Sequence, residues 1–363
     1  MLEKTKILFV AQNLYVGGVQ KAFVNLLNQT AKSGKYEISV FAFSKGPLEN
    51  ELPRNIQLTE GNRILRLSAT PFGTVKAEGN IINIALRICI TALAKLIGTE
   101  RFYRLCFHKQ AKEYDIAVSY FTDVPAGVFN KGTNWYVADF VRADKKVAWI
   151  HTDPVLGGFD KEYCRGIYKP FDKIICVSDA VKQKFIQMVP EYAGKTETMH
   201  NVFDEAKIKE LARAYEPFHK SQLDIVTVAR VDNASKRIDG IISLCRRLKE
   251  SGLSGFKWRI VGSGPDLSAD MELAGQLGVE DVITFEGEKT NPYPYIDKSD
   301  LFALYSAYEG FPLVIGEALI LKTPILTTNY AAAKEQIPPE SGTIAASDEE
   351  FFELLKEVIV RNQ

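Results

Sequence analysis

Two carboxylates, Glu309 and Glu317, stand eight positions apart in the apolar stretch YEGFPLVIGEAL. An unpaired carboxylate is costly in such a surround, so each needs a partner or a ligand. Pro312 suits a helix start, where its missing N–H is no loss, and Leu313 to Leu321 continue that helix. Free N–H groups at residues 311 to 314 would then attract a phosphate, with Glu309 in the loop beside it and Glu317 in the second turn. The weaker alternative is a pair of surface carboxylates, one of them interacting with the helix dipole.

Arg230 and Lys236, in VARVDNASKRID, lie six positions apart between a strand end and a helix start. A guanidinium fork and an ammonium point charge at a positive helix end outline a diphosphate site; the alternative is a solvated loop. Gly262 and Gly264, in IVGSGPD, could let a flat base or a ribose rest on the backbone, or could simply make a turn. Gly17 and Gly18 follow the first strand in QNLYVGGVQ, where absent Cβ atoms let backbone N–H groups approach an anion. They do not form a GxGxxG, so that dinucleotide fingerprint is absent. His151, in WIHTDP, closes a strand and reads either as a hydrogen-bonded structural residue or as a catalytic one.

The elements that must hold these groups alternate. KILFVA (6 to 11), YEISVFAF (36 to 43), DIAVSYF (115 to 121), KVAWIH (146 to 151) and KIICVS (173 to 178) read as strands buried on both faces, with helices over residues 19 to 32, 80 to 97 and 179 to 189. The pattern begins again with strands at 223 to 230, 257 to 262, 282 to 287, 300 to 306 and 323 to 328, separated by helices at 237 to 250, 267 to 277 and 313 to 321. Such alternation predicts two α/β, doubly wound parallel-sheet domains, 1 to 204 and 205 to 363, joined through the polar residues 202 to 222. Ligands in open α/β sheets collect beyond the carboxyl ends of strands, and each group above follows a strand.

At 46% hydrophobic and 25% charged residues the chain has the composition of a globular protein rather than a disordered one. Five scattered cysteines with no CxxC pair suggest neither a disulfide framework nor a zinc site, which fits a reducing cytoplasm. The apolar run Ile7 to Ala11 is too short for a signal sequence, and no run approaches the ~18 apolar residues of a spanning helix. The zero net charge conceals a division, +7 over residues 1 to 204 and −7 over 205 to 363. Residues 61 to 112, with nine basic and two acidic side chains, carry the whole asymmetry. That segment lacks interleaved stacking platforms, so nucleic acid is a poor fit as a partner.

Taken together, GGVQKAFVNL, WIHTDP, CVSDAV with HNVFD, VARVDNASKRID, IVGSGPD, the stretch from FEGEKTNPYPYIDKSDLFALYSA to YEGFPLVIGEAL, and KTPILTTN resemble the retaining glycosyltransferases of family 4. The resemblance covers most of the chain and rests on the order and spacing of the motifs. It implies GT-B architecture, two Rossmann-like domains facing across a cleft, and transfer of a hexosyl unit from a nucleotide diphosphate sugar. The acceptor it implies is a lipid-linked cell-surface glycan such as a capsular polysaccharide, exopolysaccharide or lipopolysaccharide. It places Arg230 and Lys236 on the donor diphosphate, Glu309 near the sugar as a catalytic residue, and Glu317 on the ribose. Phe311, Pro312 and Leu313 match the loop whose backbone meets sugar and phosphates, and Gly262 and Gly264 fall on the nucleoside side. Gly18 is expected near the diphosphate, Gly17 on the acceptor side, and His151 as the catalytic histidine of the first domain. No cofactor and no metal is implied, and no DxD occurs.

Two departures accompany the resemblance. One helix follows the last strand, so the family's crossover back to the first domain is expected to be short or absent. DNASKRID stands where the family often has Lys-Gly, which leaves Arg237 an unassigned cation. Residues 80 to 97, NIINIALRICITALAKLI, read either as a core helix or as one lying on an anionic membrane face; the resemblance tips the balance and implies residues 80 to 112 as a peripheral contact at the inner face of the cytoplasmic membrane. A sugar-nucleotide epimerase of the same fold and a non-catalytic nucleotide-sugar-binding subunit are rival readings; the presence of Glu309, Arg230 and Lys236 argues against the second.

Overall fold

The structure, a computed structural model, describes residues 4–220 and 222–362. It divides into two compact units, Met1–Val202 and Phe203–Gln363. The first is built on seven strands: β1 (Thr5–Asn13), β2 (Tyr36–Ser44), β3 (Gln57–Glu60), β4 (Glu113–Ser119), β5 (Arg142–Ile150), β6 (Lys173–Cys176) and β7 (Thr196–Thr198). All pair in parallel in the order β3-β2-β1-β4-β5-β6-β7. The apolar runs become the central strands because helices cover both faces of a parallel sheet. β3 and β7, with the polar sequences QLTE and TET, sit at the edges, where burial makes no such demand.

The second unit repeats the plan with β8 (Leu223–Val228), β9 (Phe256–Val261), β10 (Ile283–Gly287), β11 (Leu301–Leu304), β12 (Ile325–Thr328) and β13 (Gly342–Ala345), in the order β10-β9-β8-β11-β12-β13. All of these pairs are parallel as well. Trp258, Phe256 and Phe351 are fully buried in its core, where each contributes roughly 2–3 kcal/mol by leaving water. Trp258 Nε1 donates to Thr227 Oγ1 at 3.0 Å, so the indole's polar atom is not orphaned there. Each unit is thus a Rossmann-like, doubly wound domain.

Two expectations are corrected. The polar join is no bare linker: it holds the helix Glu205–Leu211, whose last carbonyl accepts from Asn291 Nδ2 at 2.8 Å and which belongs to the second unit. Ser221 of that join lies outside the described residues. The helix expected to begin at Arg237 begins at Ile238, because Arg237 is left-handed, with φ 52°, and separates it from a short helix, Asn233–Lys236. The last helix, Asp348–Arg361, buries Phe351, Leu355 and Ile359 in the core of the second unit.

Residues Ile81–Ile97 form a helix capped by Asn80, which accepts from Asn83 N at 3.1 Å. It is not a core helix, since most of its apolar side chains are exposed. No single helix among the described residues is long and apolar enough to cross a membrane.

Candidate functional site

Beyond β11 the chain turns into the helix Leu313–Leu321, with Pro312 as N-cap and no side chain capping it. The loop between them is pinned at several points. Ser306 Oγ donates to Glu309 Oε1 at 2.8 Å, and Thr328 Oγ1 donates to the Ser306 carbonyl at 2.7 Å. Gln336 Nε2 holds the Pro312 carbonyl at 2.8 Å and is itself held by Tyr330. Ala307 N donates to Ser235 O at 2.8 Å, which ties this loop to the Asn233–Lys236 turn. Lys236 Nζ consequently reaches Glu309 Oε1 and forms an ion pair with it, the two side chains being 21% and 11% exposed. The carboxylate thus has two donors, and the pair stands in the loop that leads into a helix whose first N–H groups carry positive potential. Phe311, Pro312 and Leu313 lie at that same helix head.

Glu317 lies in the second turn of the helix, 4% exposed, and accepts from Tyr293 Oη at 3.3 Å. Gly316 beside it allows close approach of Phe203, since a Cβ there would stand 2.2 Å from the ring. Glu309 and Glu317 therefore have separate partners on separate elements.

Arg230 is exposed two residues past the end of β8, and it makes no hydrogen bond or ion pair among the described residues. Its loop is held by the one that follows β9. Val231 N donates to Ser263 O at 3.0 Å, Asn233 N to Asp266 Oδ2 at 2.7 Å, and Asn233 Nδ2 to Asp270 Oδ1 at 2.7 Å. Burial raises the Asp270 carboxyl above the usual range, and the Asn233 hydrogen bond pulls it back. Gly262 and Gly264 have a reason of their own here: Cβ atoms would meet Ala229 O at 1.8 Å and Val231 O at 2.1 Å. We expect Gly264→Ala to displace the Arg230 loop and to destabilise the second unit by about 1–3 kcal/mol, as overpacking does, in a urea titration. An unchanged midpoint would contradict the close approach.

Arg237, the unassigned cation, is turned away from this cluster. Its guanidinium bonds Asp348 at 2.6 and 2.9 Å and Tyr305 Oη at 3.2 Å, and stacks over the Tyr305 ring at 4.2 Å. It fastens the last helix to the second unit.

His151, Gly17 and Gly18 belong to the first unit. His151 Nε2 lies 2.8 Å from the Tyr120 carbonyl, so this nitrogen carries the proton and donates. The His151 backbone N–H donates to Thr122 Oγ1 at 2.6 Å. Burial pushes the imidazole down to about 3 from 6.5, the Tyr120 bond opposing it. The unfolded chain therefore binds a proton that the folded one refuses, and stability falls as pH drops from about 6.5 toward 3. Chemical denaturation at pH 7 and pH 4.5 should show a smaller acid loss for His151→Gln than for the wild type; equal losses would contradict a neutral imidazole. Gly17 is the N-cap of the helix Gly18–Lys32, which no side chain caps. Asn13 Oδ1 organises this turn by accepting from Tyr15 N at 3.2 Å and Gln20 Nε2 at 3.0 Å.

Sequence reasoning missed Ser306, Tyr293, Asn233, Asp266, Asp270 and Asn13. Ser306 and Asn13 could have been found, since each is the polar residue ending an apolar strand run just before a singled-out loop. The other four act across loops and leave no local signal. A cavity of about 690 Å³ between β12, β13 and the last helix, lined by Leu326, Leu354, Val358 and Arg361, contains none of the singled-out residues. No group of three His, Cys, Asp or Glu able to hold a metal occurs among the described residues.

Residues 208–361 match the family model described as glycosyl transferases group 1. An uncharacterised glycosyltransferase of Methanocaldococcus jannaschii is 24% identical over 205 residues, covering 53% of this chain and 50% of that protein. An N-acetylgalactosamine-N,N'-diacetylbacillosaminyl-diphospho-undecaprenol 4-alpha-N-acetylgalactosaminyltransferase of Campylobacter jejuni is 26% identical over 197 residues, 53% of this chain and 52% of that one. The chain thus spans about half the length of these relatives. Anabaena HepE, solved in complex with UDP-glucose, shares the fold with a TM-score of 0.66 at 18% identity, over 98% of this chain and 89% of that one.

Proposed function

We propose that this chain, whose residues 208–361 in the second unit match the family model described as glycosyl transferases group 1, transfers a hexosyl unit from a nucleoside diphosphate sugar to a glycan, with retention of configuration and without a metal ion. The observation that carries this reading is the Lys236–Glu309–Ser306 cluster at the uncapped head of the Leu313–Leu321 helix. Breaking a glycosyl phosphate bond puts negative charge on the departing diphosphate and positive charge on the ring. Arg230, Lys236 and the helix head meet the first, and Glu309 meets the second. Fixed cations take the place a metal would fill, so EDTA should leave the rate unchanged. Glu317, oriented by Tyr293, accepts from the ribose hydroxyls, with the Gly262–Gly264 turn on the nucleoside side. Phe311, Pro312 and Leu313 present backbone to sugar and phosphates.

The acceptor in this reading is a lipid-linked precursor of a cell-surface polysaccharide, a class supported by the Campylobacter relative, whose name specifies a diphospho-undecaprenol acceptor. Uridine diphosphate hexoses are the first donors to try, because HepE was solved with one. The deciding experiment follows the anomeric proton by NMR during transfer to a lipid-diphosphate glycan. An α donor giving an α product supports retention; a β product would overturn it.

A further inference from the structure

The helix Ile81–Ile97 is turned the opposite way from an ordinary surface helix. Ile81, Ile82, Ile88, Leu93 and Leu96 are 79%, 70%, 55%, 46% and 83% exposed, and Ala85, Cys89 and Ala92 between them are exposed too. At about 100° per residue all eight fall in an arc roughly 140° wide that contains no polar side chain. The opposite side packs inward and carries the charge. Arg87 is 9% exposed with its guanidinium 4.3 Å from the centre of the Phe129 ring, alongside the buried Ile90 and Ala94.

The surroundings of the arc are cationic. Lys95, Arg101 and Lys109 are exposed and have no ion-pair partner among the described residues, whereas Arg104 is held by Glu100 and Asp139. The chain bends by 120° after Ile97 into the helix Thr99–Cys106, which adds Leu105, 76% exposed. Seventeen residues give a length of about 25 Å, short of a ~30 Å hydrocarbon core, so the helix is built to lie on a bilayer rather than cross it.

We propose that this helix docks on the surface of an anionic phospholipid bilayer, with the apolar arc in the acyl boundary and Lys95, Arg101 and Lys109 at the headgroup phosphates. Two observations favour a bilayer over a protein partner. Protein interfaces need about one hydrogen bond per 100–200 Å², and the arc offers no side-chain donor or acceptor beyond a thiol, which hydrocarbon does not require. A second copy packed through the same face would oppose its own cations, while anionic lipid neutralises them. The inference goes beyond the proposed activity and stands on the first unit alone.

The test is co-sedimentation of the full chain with vesicles of phosphatidylcholine, with and without 30% phosphatidylglycerol, read without turnover so that its failure is separate from that of the catalytic reading. The wild type should pellet with the anionic vesicles and far less with the neutral ones. Ile82→Glu with Leu96→Glu should abolish pelleting, and Lys95→Ser, Arg101→Ser and Lys109→Ser together should weaken it by about a hundredfold. Both variants alter exposed side chains, and unchanged thermal unfolding verifies their folding. No pelleting of wild type, or pelleting that survives both variants, would overturn the proposal. So would a dimer in velocity sedimentation that Ile82→Glu with Leu96→Glu dissolves, since a second copy would then cover the face.

Discussion

Replacing Glu309 with glutamine should lower transfer by about two to three orders of magnitude, the loss typical of removing one electrostatic group that acts at the transition state. Glutamine keeps the side chain's size and an oxygen for Ser306 Oγ, so the loop geometry set by Ser306, Thr328 and Ala307 persists. What disappears is the negative charge that the proposed mechanism sets beside the sugar. The effect should therefore fall on turnover, with the donor KM changing much less. Comparable losses in both parameters would indicate a role in donor binding. An unaltered rate would remove Glu309 from the mechanism.

Lys236→Ala should act in the complementary way. A charge-assisted hydrogen bond is worth about 1.5–3 kcal/mol, so losing it should weaken donor binding by roughly 10- to 100-fold. A second effect follows from the ion pair. Glu309 is 11% exposed and would be left with the Ser306 hydroxyl as its donor among the described residues, so the substitution also costs stability. A double-mutant cycle with Glu309→Ala separates the two. In the unliganded protein the stability effects should couple by about 0.5–3 kcal/mol, because Lys236 and Glu309 touch. Donor titration by calorimetry should show the affinity loss in Lys236→Ala whether or not Glu309 is present. Additive stability effects would contradict the pairing.

Much of this organisation was legible in the sequence because burial on both faces forces continuous apolar runs, and these became the central strands of each sheet. The edge strands β3 and β7 were not legible, since QLTE and TET look like any polar loop. The helix after β11 was readable from Pro312 and the run behind it, and the structure places it at Leu313–Leu321. The Lys236–Glu309 pair was not readable: its members are 73 positions apart, and both were assigned to a ligand rather than to each other. Arg237 shows the same limit more sharply. Its positive charge beside Lys236 marked it as a spare cation, but its partner Asp348 lies 111 positions away and draws it elsewhere. For the helix Ile81–Ile97, composition left the core and surface readings level. The exposure of its apolar side chains, with Arg87 turned inward over Phe129, decides between them, and that is a matter of tertiary packing.

Release of nucleoside diphosphate from a panel of uridine, guanosine, adenosine, cytidine and thymidine diphosphate hexoses, in EDTA, tests the central claim most directly. Slow release from at least one donor without acceptor, faster release with a lipid-linked glycan, and loss of both in Glu309→Gln are the expected results. Interconversion of the sugar with its nucleotide intact, or tight donor binding with no release under either condition, would contradict it.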